Sequence, residues 1–377
     1  MKRRIKLFSI LTAAAFLLVA VRPLLAEDIK TLTIGSLAPD FKLKGVDGKW
    51  YGLASFQQAD ILVIVFTCNH CPTAQAYEDR IIQLQADYAL KKVSVIAINP
   101  NDPRSLRLDE LDFSDIGDSY KEMQLRAKDK NFNFPYLYDG DFQKVSKAYG
   151  PNATPHAFVF DKQRKLRYTG RIDDMESPFK KPGSQDTRNA IDAILAGHEV
   201  PVQTTKVFGC SVKWAEKSYL VQQYLDKWAK EPVSLKTLNE QGMKDLLHND
   251  SDKLRLIYCW SLLNKQDEKQ LYEFVNINRM YRDRDFEFIS INTDGTGKKD
   301  ETLVFLTEKQ ASNTNYQPGI TDKQKLHNLV DSGWSGDMPY TILVEPGGKI
   351  VFSEQGAIDP ALLKKTIVNN HLIGKYP

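Results

Sequence analysis

The chain has 377 residues, of which 42% are hydrophobic and 26% are charged. This composition suits ordinary globular cores, and the length suits two domains of about 100–200 residues each. Lys and Arg number 51 against 48 Asp and Glu, so the net charge is only +3. So small a charge gives no argument for nucleic acid or another polyanion as a partner. Four cysteines are too few to build a disulfide scaffold.

Residues 1–26 have the pattern of a secretory signal peptide. Four basic residues lie within the first six positions, an apolar stretch follows from Ile10 to Val21, and Ala26 is a small residue at the end. The apolar stretch is shorter than the roughly 20 residues of a membrane span. We therefore expect an exported protein, periplasmic or extracellular, which stays tethered to a membrane if the segment is not cleaved. Removing the segment's five basic residues from 51 leaves 46 against 48 acidic ones, a net charge of −2.

Strand and helix patterns alternate along residues 27–205. The predicted strands are Ile61–Thr67, Val93–Asn99, Tyr136–Tyr138, Ala157–Asp161 and Leu166–Gly170. The predicted helices are Thr73–Leu90, Ser119–Lys130, Phe142–Tyr149 and Asp186–Ala196. Near-continuous apolar runs, such as that of residues 93–98, indicate strands that are buried on both faces. The pattern predicts an α/β domain with a central mixed β-sheet flanked by helices.

The second half of the chain repeats this order. Residues 206–233 are predicted to be a connector with a helix at Ala215–Lys230, and residues 234–377 a second α/β domain. Its predicted strands are Leu254–Trp260, Phe286–Thr293, a run within 337–345, and Lys349–Ser353. Its predicted helices are Lys265–Arg282, Lys299–Gln310 and Pro360–Asn370. Pro339 occupies the place in this order that Pro155 has in the first half.

The segment Cys68-Asn69-His70-Cys71-Pro72 lies where a strand is predicted to give way to a helix. Two thiols three positions apart at such a junction can close a disulfide across one turn. The unpaired N–H groups and the dipole of the helix N-terminus favour a thiolate, and a redox cysteine needs a lowered pKa. We expect His70 to stabilise the Cys68 thiolate and make the disulfide a stronger oxidant. The alternative is a solvent-facing His70 without a partner.

The main alternative for this cysteine pair is a structural role, either as half of a zinc site or as two buried thiols. Zinc usually takes four ligands, from two such pairs or from added histidines at short spacing. The sequence has no second pair, and His156 and His198 are isolated. We therefore predict redox use of the pair, without a metal or a cofactor.

The chain resembles the thioredoxin-like superfamily twice. Residues 32–200 are similar to the redoxin branch, which is peroxiredoxin-like and related to AhpC/TSA, beginning with Gly-Ser-Leu-Ala-Pro-Asp-Phe at 35–41. The segments at 66–72, 77–80 and 209–214 resemble a subgroup of secreted bacterial redoxins. Residues 250–375 resemble a thioredoxin domain of the TlpA or thiol-disulfide-interchange type, through their element order and the Met338-Pro339 step.

The first resemblance implies roles for the residues around the pair. Cys68 would be the exposed attacking thiolate, and Cys71 the buried resolving partner. A loop with Thr154 before a cis Pro155 would lie beside the attacking cysteine, although cis bonds are only about 5–6% of X–Pro bonds in general. His156, next in the chain, is interpreted as a loop or core residue rather than a base.

Two further residues are possible accessories. Arg80, on the first helix with Glu78, would assist a peroxidase if it lay near the thiolate; a solvated helix face is the alternative. Cys210 could resolve a sulfenic acid on Cys68, or it could be buried beside Trp214 in a structural role, which we favour.

The second domain lacks a cysteine pair at the corresponding place. Alignment on the thioredoxin pattern puts Leu262 and Lys265 where the two cysteines would be, and neither can exchange disulfides. Cys259 lies inside an apolar strand and is predicted to be buried. We expect this domain to be catalytically inactive and to serve packing, dimerisation or partner binding.

These features predict an exported thiol-disulfide oxidoreductase that forms a mixed disulfide on Cys68, which Cys71 resolves. The expected partners are protein thiols or disulfides, or a membrane thiol-disulfide reductase, with possible homo-oligomerisation through the second domain. One alternative is an antioxidant thiol peroxidase, disfavoured because Val65 and Ile61 replace the Thr or Ser and the Pro of the peroxiredoxin pattern. The other is a non-catalytic binding protein, with metal capture by Cys68, His70 and Cys71 as one variant.

Overall fold

The computed structural model describes residues 29–177 and 179–376, so the predicted signal peptide lies outside the described residues. Two β-sheets, each flanked by helices, make up the structure. The predicted α/β class, with mixed sheets flanked by helices, is therefore confirmed. Among the described helices, none is long and apolar enough to span a membrane.

The first sheet has seven strands in the order β2-β1-β5-β4-β3-β6-β7. Its strands are β1 (Leu43–Gly45), β2 (Trp50–Tyr51), β3 (Ile61–Phe66), β4 (Val93–Asn99), β5 (Tyr136–Tyr138), β6 (His156–Phe160) and β7 (Leu166–Gly170). Its helices are α1 (Pro72–Tyr88), α2 (Tyr120–Asp129), α3 (Lys144–Tyr149) and α4 (Asp186–Leu195). Strands β3, β4 and β5 are parallel, and β6 and β7 are antiparallel additions. All five predicted strands are present; the short edge hairpin β1–β2 was not predicted.

Strand β3 lies inside this sheet and is buried along its whole length. Side chains alternate between the two faces of a strand. Ile61, Val63 and Val65 therefore pack into one core cluster, and the intervening apolar residues pack into the cluster on the opposite face. This double burial fixes the point at which the chain leaves the sheet and enters α1, which is where the cysteine pair lies.

The second sheet has six strands in the order β13-β12-β9-β10-β11-β8. Its strands are β8 (Lys236–Leu238), β9 (Leu254–Trp260), β10 (Phe286–Asn292), β11 (Thr314–Pro318), β12 (Tyr340–Glu345) and β13 (Lys349–Gln355). The remaining helices are α5 (Tyr219–Trp228), α6 (Glu240–His248), α7 (Lys265–Tyr281), α8 (Lys299–Glu308), α9 (Lys323–Val330) and α10 (Pro360–Asn369). Strands β8 to β11 are parallel, while β12 and β13 are antiparallel.

Four elements of this half were missed by the sequence analysis: β8, β11, α6 and α9. The reason is clearest in β11, which buries the polar side chains of Asn315 and Gln317 instead of apolar ones. The Asn315 side chain is satisfied by hydrogen bonds to the neighbouring backbone, for example from its amide to the Ala311 carbonyl oxygen at 2.8 Å. A strand whose buried positions are polar has no apolar alternation to detect.

The loop of residues 100–118, between β4 and α2, joins the two halves. Leu111 belongs to the apolar core of the second half together with Tyr281. The Tyr281 hydroxyl donates a hydrogen bond to the Ser114 carbonyl oxygen at 2.8 Å, and the Arg284 guanidinium lies 3.6 Å from the centre of the Phe113 ring. The same loop carries Asp118, so the second half holds a segment that reaches the cysteine pair.

Candidate active site

The cysteine pair lies at the junction of β3 and α1. Cys71 is the N-cap residue of α1, and its Sγ accepts a hydrogen bond from the Ala74 N–H at 3.5 Å. Pro72 occupies the first turn, where the helix needs no N–H donor. The helix N-terminus therefore presents its free N–H groups to Cys71 more directly than to Cys68.

The loop between α3 and β6 packs against both thiols. The Thr154–Pro155 peptide is cis, as expected, and the Met338–Pro339 peptide of the second half is cis as well. Thr154 Oγ1 lies 3.1 Å from Cys68 Sγ, and the Thr154 carbonyl oxygen lies 3.5 Å from Cys71 Sγ. Thr154 therefore contacts the reactive atoms of both cysteines.

Cys210, from the predicted connector, is also at this site. Its backbone N–H donates to Cys71 Sγ at 3.4 Å, and its carbonyl oxygen accepts from the Thr154 N–H at 2.9 Å. The Cys210 side chain packs against Cys68 and Cys71. Gly209 makes this approach possible: its φ is +124°, and a Cβ there would lie 2.1 Å from the Thr154 carbonyl oxygen.

Both thiols of the pair are buried. Cys68 is 2% exposed and Cys71 is 0% exposed, and all four cysteines are free thiols. The expectation of an exposed Cys68 is therefore wrong. The physical reason is that the Thr154 loop and the Cys210 segment cover the end of β3 and the Cys68 thiol. The sequence did not show that Cys210 would pack there.

The expected thiolate is also reversed between the two cysteines. Burial raises the pKa of Cys68 well above its usual value. None of the backbone N–H groups in the described part of the chain donates to its sulfur; its hydrogen-bond contact is with Thr154 Oγ1. Burial by itself would raise the pKa of Cys71 too. The neighbouring Cys210 and Cys68 thiols, the charge of His70 and the Ala74 N–H nevertheless hold the pKa of Cys71 well below its usual value. These contacts favour the thiolate at Cys71 over that at Cys68.

His70 forms a buried ion pair with Asp118. His70 Nδ1 lies 2.6 Å from Asp118 Oδ2, and the two side chains are 1% and 0% exposed, which excludes the solvent-facing alternative. Burial would lower the pKa of His70, but the charge and hydrogen bond of Asp118 raise it. Asp118 thus favours the protonated form of His70, and the charge of that form lowers the pKa of Cys71.

Asp118 is the site residue that sequence reasoning missed. Besides His70 it accepts hydrogen bonds from the Asn69 N–H at 2.8 Å and from the Asn101 side-chain amide at 2.7 Å. The capping box of Ser119 and Glu122 marks the start of α2 directly after it. Nothing in that local pattern shows that the preceding carboxylate faces a histidine 48 residues earlier in the chain. Only the fold brings the two together.

His70 and Asp118, together with Cys68, form the one potential metal-ligand cluster among the described residues. One ligand atom each from Cys68, His70 and Asp118 lie within 4.8 Å of one another. His70 Nδ1 and Asp118 Oδ2 are already joined by a hydrogen bond. The cluster is thus satisfied as an ion pair beside a thiol.

Arg80 and Glu78 do not reach the thiols. Arg80 binds Asp173 Oδ1 at 2.8 Å and the Ser177 carbonyl oxygen at 2.7 Å, on the loop after β7. Glu78 is buried and accepts two hydrogen bonds of 2.7 Å from the Arg126 guanidinium of α2. The alternative of a solvated helix face is wrong for Glu78, because α2 covers that side of α1.

His156 lies in the core, on β6. Its Nδ1 accepts from the Asn152 N–H at 3.2 Å, and its Nε2 lies 2.9 Å from Thr169 Oγ1. Burial lowers its pKa to about 3 from the usual 6.5. The buried His156 ring is therefore neutral near pH 7.

This burial predicts an acid-sensitive fold. Below pH 6.5 His156 is protonated in the unfolded chain but stays neutral in the folded state. The free energy of unfolding therefore falls as the pH drops from 6.5 towards 3. The expected loss is about 1.4 kcal/mol per pH unit. Urea unfolding at pH 7 and pH 5 measures it. His156→Phe is expected to flatten the slope, and His198→Gln, at an exposed position, is the control. An unchanged slope in His156→Phe would contradict this account.

In the second half, the positions aligned with the cysteine pair have other contacts. Leu262 packs against the apolar core, and its N–H donates to Asp294 Oδ2 at 2.7 Å. Lys265 is the first residue of α7. Cys259 is buried in β9, and burial raises its pKa to about 12. The prediction of a catalytically inactive second domain rests on these side chains, none of which is a reactive thiol.

Parallel central strands, antiparallel β6 and β7, a cysteine pair at the β3–α1 junction and a proline loop against the thiols together define a thioredoxin-fold redox protein. Comparison with known proteins adds the family. The AhpC/TSA family model matches residues 34–169. The first half of the chain therefore contains a thioredoxin-like redoxin domain that is similar to the AhpC/TSA family.

Solved structures similar to the chain include two whose own roles are not described. A hypothetical protein from Sinorhizobium meliloti 1021 is 32% identical, over 49% of this chain and 97% of that one, with a TM-score of 0.44. An uncharacterized conserved protein from Geobacillus kaustophilus is 37% identical, over 48% and 92%, with a TM-score of 0.43. A putative thiol:disulfide interchange protein DsbE from Chlorobium tepidum is 18% identical, over 52% and 98%, with a TM-score of 0.30. A search of curated proteins found no match.

Proposed function

We propose that this protein is a thiol-disulfide oxidoreductase that works through Cys68 and Cys71. The observation that carries the proposal is the asymmetry of the pair: donors converge on the Cys71 sulfur, and none of the described backbone N–H groups reaches that of Cys68. A low thiol pKa makes a good leaving group in disulfide exchange. The site is therefore suited to releasing Cys71 from a disulfide.

The proposed reaction starts from the Cys68–Cys71 disulfide. A partner thiolate attacks Cys68 Sγ, the S–S bond breaks, and Cys71 leaves as a thiolate stabilised by its N–H donors and by His70. A second partner thiol, once deprotonated, then attacks the partner's sulfur in the mixed disulfide. Cys68 departs and takes up the proton. The partner dithiol is oxidised to a disulfide, and the protein pair is reduced by the same two electrons.

Thr154 would position the incoming partner. Its hydroxyl and its carbonyl oxygen contact the two sulfurs, and its N–H is already used by Cys210. We also propose that the protein is exported, that its partners are protein thiols or disulfides or a membrane thiol-disulfide reductase, and that copies associate through the second domain. The signal-peptide pattern of residues 1–26 supports the export proposal.

The proposal predicts that Cys71→Ser accumulates a mixed disulfide with its partners. Serine cannot resolve the intermediate on Cys68, so partners stay covalently bound. Cys68 of this variant is a lone thiol, so the peptide must supply the disulfide bond. Non-reducing electrophoresis after incubation with a model peptide disulfide gives the measurement. Cys68→Ser and the double variant with Cys71→Ser are the matched controls and are expected to trap nothing at this pair. If Cys71→Ser trapped no more peptide than the double variant, the proposed mechanism would be wrong.

The peroxidase alternative has less support at the site. Ile61 and Val65, which stand where a peroxiredoxin pattern has Pro and Thr or Ser, are buried core residues of β3. Arg80 binds the loop after β7 instead of the thiols. What favours the alternative is the match of residues 34–169 to the AhpC/TSA family model. Consumption of hydrogen peroxide that is lost in Cys68→Ser would establish it.

A further inference from the structure

We propose that Cys210 is a third redox-active thiol and that Cys71 is shared between two alternative disulfides, Cys68–Cys71 and Cys71–Cys210. This inference rests on the proposed function, because it extends the disulfide chemistry of the same site. It gives Cys210 an active part in place of the structural role that its isolated position in the sequence suggested.

The geometry places Cys71 between the other two thiols. Cys68 and Cys210 both pack against it in one cluster. The Cys210 backbone nitrogen lies 3.4 Å from Cys71 Sγ. At this separation the Cys210 side chain can reach the same sulfur. The Thr154 N–H donates to the Cys210 carbonyl oxygen at 2.9 Å, in an isolated antiparallel bridge that fixes the register of the Cys210 segment beside the pair.

Gly209 shows that this approach is built into the chain. Its left-handed backbone passes so close to the Thr154 carbonyl oxygen that a Cβ would lie 2.1 Å from it. Glycine is the one residue that adopts such a conformation without steric cost. A larger residue at position 209 would clash with the Thr154 carbonyl oxygen and push Cys210 away from Cys71.

Exposure gives Cys210 a distinct use. Cys68 and Cys71 are 2% and 0% exposed, whereas Cys210 is partly exposed. A small thiol from solvent reaches Cys210 before either member of the buried pair. External small thiols therefore reduce the protein by attacking Cys210. Cys68 reacts instead with the partner that the Thr154 loop positions.

The transfer between the two disulfides conserves atoms and electrons. Cys210, deprotonated, attacks Cys71 Sγ in the Cys68–Cys71 disulfide. The Cys71–Cys210 bond forms, the Cys68–Cys71 bond breaks, and Cys68 leaves and takes up the proton. The protein as a whole is neither oxidised nor reduced. An external thiolate then attacks Cys210 Sγ, the Cys71–Cys210 bond breaks, and Cys71 leaves as the stabilised thiolate. A second external thiol, once deprotonated, attacks the external sulfur of the mixed disulfide; the external disulfide forms, and Cys210 leaves and takes up the proton.

Disulfide mapping of a single variant tests the inference. Full-length Cys68→Ser protein is equilibrated in reduced and oxidised glutathione, acid-quenched, alkylated and digested, and its linked peptides are identified by mass spectrometry. The expected result is an intramolecular Cys71–Cys210 disulfide. It is expected to be lost in the Cys68→Ser/Cys210→Ser double variant. Circular dichroism shows whether each variant keeps its fold.

A second arm separates this inference from the proposed function. Cys210→Ser retains the Cys68–Cys71 pair, so it is expected to form that disulfide and to be reduced by glutathione more slowly than the wild type. If it forms the disulfide while folded Cys68→Ser protein yields no Cys71–Cys210 linkage, the inference is overturned and the proposed function stands. If Cys210→Ser forms no disulfide either, the proposed function fails. Equal reduction rates in Cys210→Ser and the wild type would also refute the attack of external thiols at Cys210.

Discussion

His70→Ala is expected to lower the free energy of unfolding by about 3–5 kcal/mol, the usual cost of removing one partner of a buried ion pair. The change leaves the Asp118 carboxylate, which is 0% exposed, without its cation. The pKa of His70 is raised in the folded state, so the pair contributes in full below pH 6.5 and is lost as the pH rises through the raised value. The difference between variant and wild type is therefore expected to shrink at alkaline pH.

The same variant is expected to raise the pKa of the Cys71 thiol, because the His70 charge is one of the groups that lower it. The reduced form then loses stabilisation, and the disulfide becomes a weaker oxidant. Urea unfolding and the pH dependence of iodoacetamide alkylation at Cys71 measure the two effects.

The double variant His70→Ala/Asp118→Asn is the control, since it removes both charges and is expected to cost less than the sum of the single changes. Additive costs would show that His70 and Asp118 do not stabilise the fold as a pair. An unchanged alkylation titration of Cys71 in His70→Ala would show that His70 does not act on the thiol.

Arg126→Met is expected to cost a similar amount, about 3–5 kcal/mol, through a different buried pair. Arg126 on α2 donates two hydrogen bonds of 2.7 Å to Glu78 on α1, and both side chains are largely buried. Lys130, 3.7 Å from Glu78, is too distant for a comparable hydrogen bond. The variant therefore leaves a buried carboxylate without its main partner on the helix that starts at the cysteine pair.

Two further variants test whether the loss comes from the unpaired carboxylate. Arg126→Met/Glu78→Gln removes both charges and is expected to recover much of the stability. Asp79→Asn, which removes an exposed partner of Lys130, is expected to change stability by no more than about 0.5 kcal/mol. If Arg126→Met were as stable as Asp79→Asn, the buried pair would not hold α1 against α2.

Local patterns were sufficient for the elements around the site. The apolar run of β3, the helix after it and the cysteines between them are contiguous in the sequence, so the strand-to-helix junction could be predicted. Thr154 and Pro155 were placed beside the thiols by the family resemblance, and the structure has Thr154 3.1 Å from Cys68 Sγ.

Long-range contacts decided what the sequence could not show. The charge partner of His70 is Asp118, which comes from a loop that looks like ordinary coil and is held by the second half through Leu111. The cover over Cys68 comes from Thr154 and from Cys210. Cys71 is the N-cap residue of α1 and lies nearer the helix start than Cys68. The Cys210 contact that further lowers the pKa of Cys71 comes from 139 residues away in the chain, so the sequence alone does not show it.

The most direct test of the central claim is the reduction potential of the Cys68–Cys71 couple, from equilibration with glutathione and quantification of the two alkylated cysteines. A stabilised Cys71 thiolate favours the reduced form, so the account predicts a reversible two-electron couple with a potential above the roughly −270 mV of thioredoxin. A potential at or below that value, or the absence of a reversible disulfide between these cysteines, would contradict it.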